Sequence, residues 1–153
     1  MIWQSLLWAL ATYLIASVPY SVILGRLVAG VDIREYGDGN PGSTNVKRAT
    51  GSMFWFIVAL LLDGFKGLFP VGIPYHFGGW TGFEIGPVAL AAILGHAFPI
   101  FLGFRGGKSV AITGGVWIGL IILEAALVIP LMLTYWFYAV EESEWSVVLM
   151  MLS

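Results

Sequence analysis

The sequence contains no cysteine and few charged residues, and both facts limit the classes of protein to which it can belong. Without cysteine, the chain can form neither disulfides nor thiolate metal sites. Only 10% of the 153 residues are charged, whereas 59% are hydrophobic. A soluble domain normally carries about 25% charged residues, so this chain has too few to cover a globular surface. The composition predicts an all-α protein, a polytopic bundle of membrane helices that forms a single domain over residues 1–153.

Four apolar stretches are long enough to be candidate membrane spans, at about residues 2–24, 52–73, 83–103 and 112–138. A helix needs about 20 apolar residues to cross a bilayer. Pro19 lies near the end of the first stretch, where a helix can kink or stop. The apolar end at 145–153 reaches only about 13 Å at the rise of an α-helix, so it resembles the beginning of a span.

The basic residues predict an orientation in the cell membrane. The polar segment 25–51 carries four of them, and the loop that follows the third stretch carries Arg105 and Lys108. Two spans separate these loops, so both lie on one side of the membrane. Because loops rich in Lys and Arg stay in the cytoplasm, we expect both Gly-rich loops to be cytoplasmic and the N-terminus to be outside.

The first Gly-rich loop, residues 36–48, is a candidate phosphate site. Its glycines allow backbone N–H groups to turn toward an anion, and Asn40, Ser43 and Asn45 add neutral polar groups. Lys47 and Arg48 add positive charge. If Thr44 or Asn45 caps the helix that becomes the second span, the N-terminus of that helix points at the same anion. The alternative is a Gly/Asn-rich turn followed by basic membrane anchors.

The second Gly-rich loop reads Arg105-Gly106-Gly107-Lys108-Ser109. It resembles the end of a nucleotide P-loop, but that motif needs a glycine where this chain has Leu102, so ATP binding is rejected. A phosphate site of another kind and a simple cytoplasmic anchor both remain open.

The apolar stretches contain ionisable residues, among them Asp63, Lys66 and His96. Asp63 and Lys66 are three residues apart and therefore share one face of a helix. We interpret them as an ion pair that braces the helices around the site, although Lys66 could instead extend to the membrane surface. His96 is either a general base or a packed polar residue. No pattern indicates a metal site.

Taken together, these segments resemble the bacterial acyl-phosphate:glycerol-3-phosphate acyltransferase family. The resemblance covers about residues 17–115, in the family's order. Its segments are SVPY (17–20), DIREYG (32–37), GNPGSTNVKR (39–48), DGFKGLFP (63–70), GHAFP (95–99) and FRGGKSVA (104–111).

The resemblance implies transfer of a fatty acyl group from acyl phosphate to the primary hydroxyl of glycerol 3-phosphate, in the first step of phospholipid synthesis. The products would be lysophosphatidic acid and phosphate. The expected partners are these two substrates and membrane lipid, with no cofactor and no nucleic acid. The candidate catalytic residues are Asn40, Ser43, Asn45 and His96; the candidate phosphate-binding residues are Lys47, Arg48, Arg105, Gly106, Gly107 and Lys108. The rival interpretations are an organophosphate-binding or transport protein and an inactive family member.

The chain also departs from the family. Asp38 stands where the family usually has a functionally important serine, Ser43 replaces a common alanine, and Ser109 stands where glycine is usual. A further family motif with a His and an Asn is not reached before residue 153. We therefore expect the domain to be incomplete at the C-terminus relative to the family. The chain alone is then weakly active or inactive, unless a partner or a second copy in a homo-oligomer completes it.

Overall fold

The structure is a computed structural model that describes residues 2–121, 130–136, 139–140 and 148. The described part of the chain contains no β-strand, which confirms the all-α prediction. Residues 122–129 and 137–138 of the predicted fourth span, and all of the apolar end at 145–153 except residue 148, lie outside the described residues. The helices are α1 (Ile2–Ser17), α2 (Tyr20–Ala29), α3 (Ser43–Thr50), α4 (Met53–Gly78), α5 (Ile85–Ala97) and α6 (Val110–Leu120).

The first apolar stretch forms two helices, which confirms the expectation that a helix kinks or stops near Pro19. α1 ends at Ser17 and α2 begins at Tyr20, with Pro19 between them. Proline has no N–H group and its ring clashes with a preceding helical turn, which accounts for the break. α2 then continues past residue 24 and ends at Gly30, whose φ of 69° suits a left-handed cap.

α4 is longer than the predicted second span, because Pro74 does not end it. The helix has 26 residues and includes both Pro70 and Pro74. Pro74 cannot donate to the carbonyl of Pro70, four residues earlier. The indole N–H of Trp8 donates to that carbonyl at 2.8 Å, so the group freed by the proline is satisfied within the bundle.

The helices pack closely where glycine leaves out a side chain. A Cβ on Gly67 of α4 would overlap the carbonyl of Ile112, and one on Gly115 of α6 would overlap the carbonyl of Gly64. α1 approaches α5 in the same way, since a Cβ on Gly95 would lie 2.5 Å from the carbonyl oxygen of Tyr13. Such small-residue contacts are typical of helices that associate in membranes.

The outer surface of the bundle is apolar, as expected for helices that face lipid. Three segments, Ile2–Ala29, Met53–His76 and Ile85–Leu102, are long and apolar enough to cross a membrane. Large apolar side chains remain exposed on them, including Leu27 at 78% and Phe54 at 65%. A patch of this extent marks an interaction surface, and together with the span lengths it confirms the prediction of a membrane protein.

Candidate active site

A buried isoleucine and a cluster of ion pairs fix the chain just before the first Gly-rich loop. Ile33 is fully buried with Val22, Val46 and Ala59. Just before it, Asp32 pairs with Arg34 at 2.6 Å and with Arg26 at 2.8 Å. The hydrogen bond from the Arg34 side chain, aided by the one from Arg26, holds the pKa of Asp32 well below its usual range in spite of partial burial.

The end of this loop forms a separate short helix, which corrects the prediction that Thr44 or Asn45 caps the second span. α3 begins at Ser43 with Gly42 at its N-cap, and Gly51 ends it before α4 begins. Asn45 is buried inside the loop, and its Nδ2 donates to the Asn40 carbonyl at 2.9 Å. The Asn45 side chain therefore stabilises the loop from within.

Arg48 reaches back over the turn of the same loop. Its guanidinium donates to Asn45 Oδ1 at 2.9 Å and lies against Gly37. Gly37 has a φ of 57°, and a Cβ there would overlap the guanidinium. Only glycine satisfies both the backbone conformation and this close approach.

The second Gly-rich loop folds back on the end of α5. The N–H of Gly106 donates to the Ala97 carbonyl and the N–H of Gly107 donates to the His96 carbonyl, each at 3.1 Å. A Cβ on Gly106 would overlap these carbonyls, and one on Gly107 would lie 2.5 Å from His96 Nε2. Ser109, which precedes α6, has a φ of 60°, so it adopts the left-handed conformation that favours the glycine usual in the family.

The two loops meet at Asp38. Its Oδ2 lies 3.4 Å from Lys108 Nζ, and its Oδ1 lies 3.8 Å from an Arg48 nitrogen. Partial burial by itself raises the pKa of Asp38. The hydrogen bonds from the Asn40 N–H, Asn45 and Lys108 outweigh that effect, so the pKa lies below its ordinary value. Asp38 is therefore a carboxylate at neutral pH.

A cavity of about 430 Å³ opens at this junction, and both charged and apolar residues line it. Arg48, Lys108 and Asp38 are the charged loop residues in its lining. The lining also includes apolar residues of α4, α6 and the following chain: Phe56, Leu60, Val110, Ala111 and Leu133. The combination suits a ligand that has both a phosphate and a hydrocarbon chain.

A buried charged cluster lies behind the cavity. Lys66 Nζ is 2.7 Å from Asp63 Oδ1, and both side chains are 3% exposed. Lys66 also donates to the carbonyls of Ala16 and Val18 at 3.3 and 3.0 Å. These carbonyls lie where α1 gives way to α2, so the ammonium group ties α4 to the break at Pro19. Ser21 donates to Asp63 at 2.7 Å from the other side of that break.

His96 joins this cluster through one ring nitrogen. Its Nδ1 lies 3.3 Å from Lys66 Nζ, and Gly107 lies next to its Nε2. An ammonium group has only donors, so Nδ1 accepts and the proton of a neutral ring lies on Nε2. His96 also lines the cavity. The N–H on Nε2 is therefore positioned to donate a hydrogen bond near the loops.

The structure thus brings together several residues that the sequence indicated. Asn40, Ser43, Arg48, His96 and Lys108 all line the cavity. Gly106 and Gly107 line a small adjoining crevice with His96 and Lys66.

The remaining predicted residues lie elsewhere. Lys47 and Arg105 are exposed and are not among the described residues that line the cavity. Asn45 is buried within the first Gly-rich loop, where its side chain stabilises the loop. Within the described ranges, no group of three or more His, Asp or Glu side chains could hold a metal ion.

Comparison with known proteins decides the family. The sequence profile described as "Glycerol-3-phosphate acyltransferase" matches residues 6–153. The chain belongs to this family. A glycerol-3-phosphate acyltransferase of Anaeromyxobacter dehalogenans is 46% identical over 110 residues, which cover 70% of this chain and 54% of the relative. A relative from Wolbachia pipientis is 47% identical over 107 residues, covering 70% of this chain and 55% of the relative. This chain therefore spans about half the length of the curated relatives it matches.

Solved structures from the glycerol-3-phosphate acyltransferase family share the fold. The crystal structure of PlsY (YgiH), an integral membrane glycerol 3-phosphate acyltransferase in its glycerol 3-phosphate form, matches with a TM-score of 0.79 and 32% identity. The lysophosphatidic acid form matches with a TM-score of 0.75 and 30% identity. Each match covers 88% of this chain and 66% of the PlsY chain.

Proposed function

We propose that this chain binds glycerol 3-phosphate and a fatty acyl phosphate and takes part in acyl transfer between them. The observation that carries the proposal is the cavity, whose lining combines cations from two separate Gly-rich loops with apolar side chains. Both proposed substrates contain phosphate, and one also carries a long hydrocarbon chain. The family membership and the PlsY neighbour in its glycerol 3-phosphate form support glycerol 3-phosphate as one of the two substrates.

The proposed reaction needs positioning more than a protein nucleophile. The primary hydroxyl of glycerol 3-phosphate attacks the carbonyl carbon of the acyl phosphate. A new ester C–O bond forms, the C–O bond to phosphate breaks, and the hydroxyl proton leaves with the phosphate or with solvent. Arg48 and Lys108 would hold phosphate groups through charge-assisted hydrogen bonds. Holding both reactants in contact supplies a large part of the rate enhancement.

His96 would contribute as a hydrogen-bond donor in this reaction and not as a general base. Its Nδ1 is occupied by Lys66, and Asp63 lies 3.8 Å away, so the two buried groups fix the orientation of the ring. The Nε2–H would then face the developing negative charge on an oxygen of the acyl phosphate. A positioned donor of this kind stabilises a transition state in which that charge grows.

A transfer assay with radioactive glycerol 3-phosphate and palmitoyl phosphate tests the proposed function. The protein is reconstituted in vesicles, and the lipid product is separated from the substrate. Formation of labelled lysophosphatidic acid supports the enzyme. Uptake of the label into the vesicles without transfer would instead support the organophosphate transporter.

Replacing Lys108 by Ala should raise the KM for glycerol 3-phosphate about ten- to a hundredfold. A charge-assisted hydrogen bond to phosphate contributes about 1.5–3 kcal/mol, which corresponds to that change in affinity. The comparison variant is Arg105→Ala, which removes the same charge from an exposed side chain outside the cavity lining and should change the KM much less. Equal KM values for Lys108→Ala and the parent protein would remove Lys108 from the phosphate site.

We also propose that both Gly-rich loops face the cytoplasm and that the N-terminus is outside. Because the chain has no cysteine, single cysteines report topology without background. Cysteines at the exposed positions Thr44 and Phe104 should resist an impermeant thiol reagent in intact cells, whereas one at Phe83, which is 92% exposed beyond α4, should react. Labelling of Thr44→Cys or Phe104→Cys from outside the cell would contradict the proposed topology.

A further inference from the structure

Asp38 forms ion pairs with Lys108 and Arg48, the two cations that the proposed function assigns to phosphate binding. Its carboxylate lies 3.4 Å from Lys108 and 3.8 Å from Arg48, and the three groups line the same cavity. The side chains of all three are between 40% and 49% exposed. An incoming ligand can therefore reach each of them.

Neutral groups hold the Asp38 carboxylate in place independently of the cations. The Asn40 N–H donates to Oδ1 at 3.2 Å, and Asn45 Nδ2 donates to the same oxygen at 3.0 Å. Both donors belong to the same loop as Asp38. When a ligand binds Lys108 and Arg48, the carboxylate keeps these partners and remains at the edge of the site.

The charges around the junction favour competition between this carboxylate and a phosphate. Arg48 and Lys108 carry two positive charges, and Asp38 cancels one of them. Asp63, the other acidic residue on the cavity, is already neutralised by Lys66 at 2.7 Å. A phosphate dianion that takes both cations must break two ion pairs and then lies close to a fixed like charge.

We propose that Asp38 is an internal counter-anion that a phosphate group must displace from Lys108 and Arg48, and that it thereby weakens the binding of phosphate ligands. The proposal rests on the phosphate-binding role proposed above. In the empty site, Asp38 holds the two cations and the two loops together. In the occupied site, its negative charge favours release. Inorganic phosphate, the proposed product, has no hydrocarbon chain to add affinity, so it is the ligand most strongly affected.

The test is the affinity of the full chain, in lipid nanodiscs, for inorganic phosphate. Asp38→Asn removes the charge but keeps an oxygen for the Asn40 and Asn45 donors, and Asp38→Ser is a second neutral variant. We expect both to bind phosphate about tenfold more tightly, which corresponds to about 1.4 kcal/mol. Glu35→Gln, an equal change of charge at an exposed position three residues before Asp38 and just outside the loop, should bind phosphate like the parent protein.

Each outcome bears on the inference separately from the proposed function. Unchanged or weaker phosphate binding by folded Asp38→Asn and Asp38→Ser overturns it, because Asp38 would then organise the cations for the ligand. Unfolding of both neutral variants also contradicts it, since a residue required for folding is not a displaceable counter-anion. Tighter phosphate binding without acyl transfer by the parent protein supports the inference and argues against the proposed function. Acyl transfer by the parent protein, together with unchanged phosphate binding in the Asp38 variants, supports the proposed function and argues against the inference.

Discussion

Replacing Lys66 by Met should lower the free energy of unfolding by about 3–5 kcal/mol, because the change leaves Asp63 as an unpaired buried charge. Lys66 Nζ lies 2.7 Å from Asp63 Oδ1, and each side chain is 3% exposed. The substitution also removes the donor that serves the carbonyls of Ala16 and Val18 at the break between α1 and α2.

Unfolding measured in detergent micelles tests this expectation. The double variant Asp63→Asn/Lys66→Met should lose less stability than the sum of the two single variants, because it leaves no buried charge. Lys47→Met, at an exposed position on α3, is the control for losing a lysine and should have little effect. A loss below about 1 kcal/mol for Lys66→Met would show that Asp63 finds water or another partner.

Replacing Gly115 by Val should destabilise the protein by about 3 kcal/mol, near the upper end of the usual range for overpacking. Even its Cβ would overlap the carbonyl of Gly64, and backbone cannot move aside as a flexible side chain can. α6 would have to separate from α4 along the contact that the glycines permit. Because Lys108 lies just before α6, we also expect weaker binding of glycerol 3-phosphate.

The neighbouring residue provides a matched control. A Cβ on Gly114 meets no atom within 4 Å, so Gly114→Val makes the same chemical change on the same helix without the overlap. Its unfolding temperature in detergent should remain close to that of the parent protein. If the two variants unfold at the same temperature, the close approach of α4 and α6 does not control stability.

The local features of this chain could be predicted because they depend on residues that are near each other in sequence. Pro19 indicated an interruption, and α1 ends two residues before it. Asp63 and Lys66 share a helix face at a spacing of three, and they form an ion pair. The two Gly-rich basic loops were recognisable as candidate phosphate sites from composition alone.

Other features were missed because their cause lies elsewhere in the chain. Pro74 was expected to follow the end of a span, but the indole N–H of Trp8 donates to the carbonyl of Pro70, 62 residues from Trp8, which the proline leaves without a donor. The first loop was expected to lead into the second span, yet Gly51 separates α3 from α4. In the sequence, Asp38 stood out only as a departure from the family's usual serine, because its contact with Lys108 depends on a loop 70 residues later.

The sequence by itself determined the class of this protein, its apolar segments and the residue types available to bind phosphate. The thickness of the bilayer sets the length of an apolar segment, and the free-energy cost of burying a charge in lipid limits where charged residues occur, so both are visible in the sequence. The tertiary structure decided which of those residues act together. His96 meets Lys66 across 30 residues, and Lys66 meets the end of α1 across about 50. Such distances are set by how glycine-lined helices pack against one another, and no local pattern in the sequence records that packing.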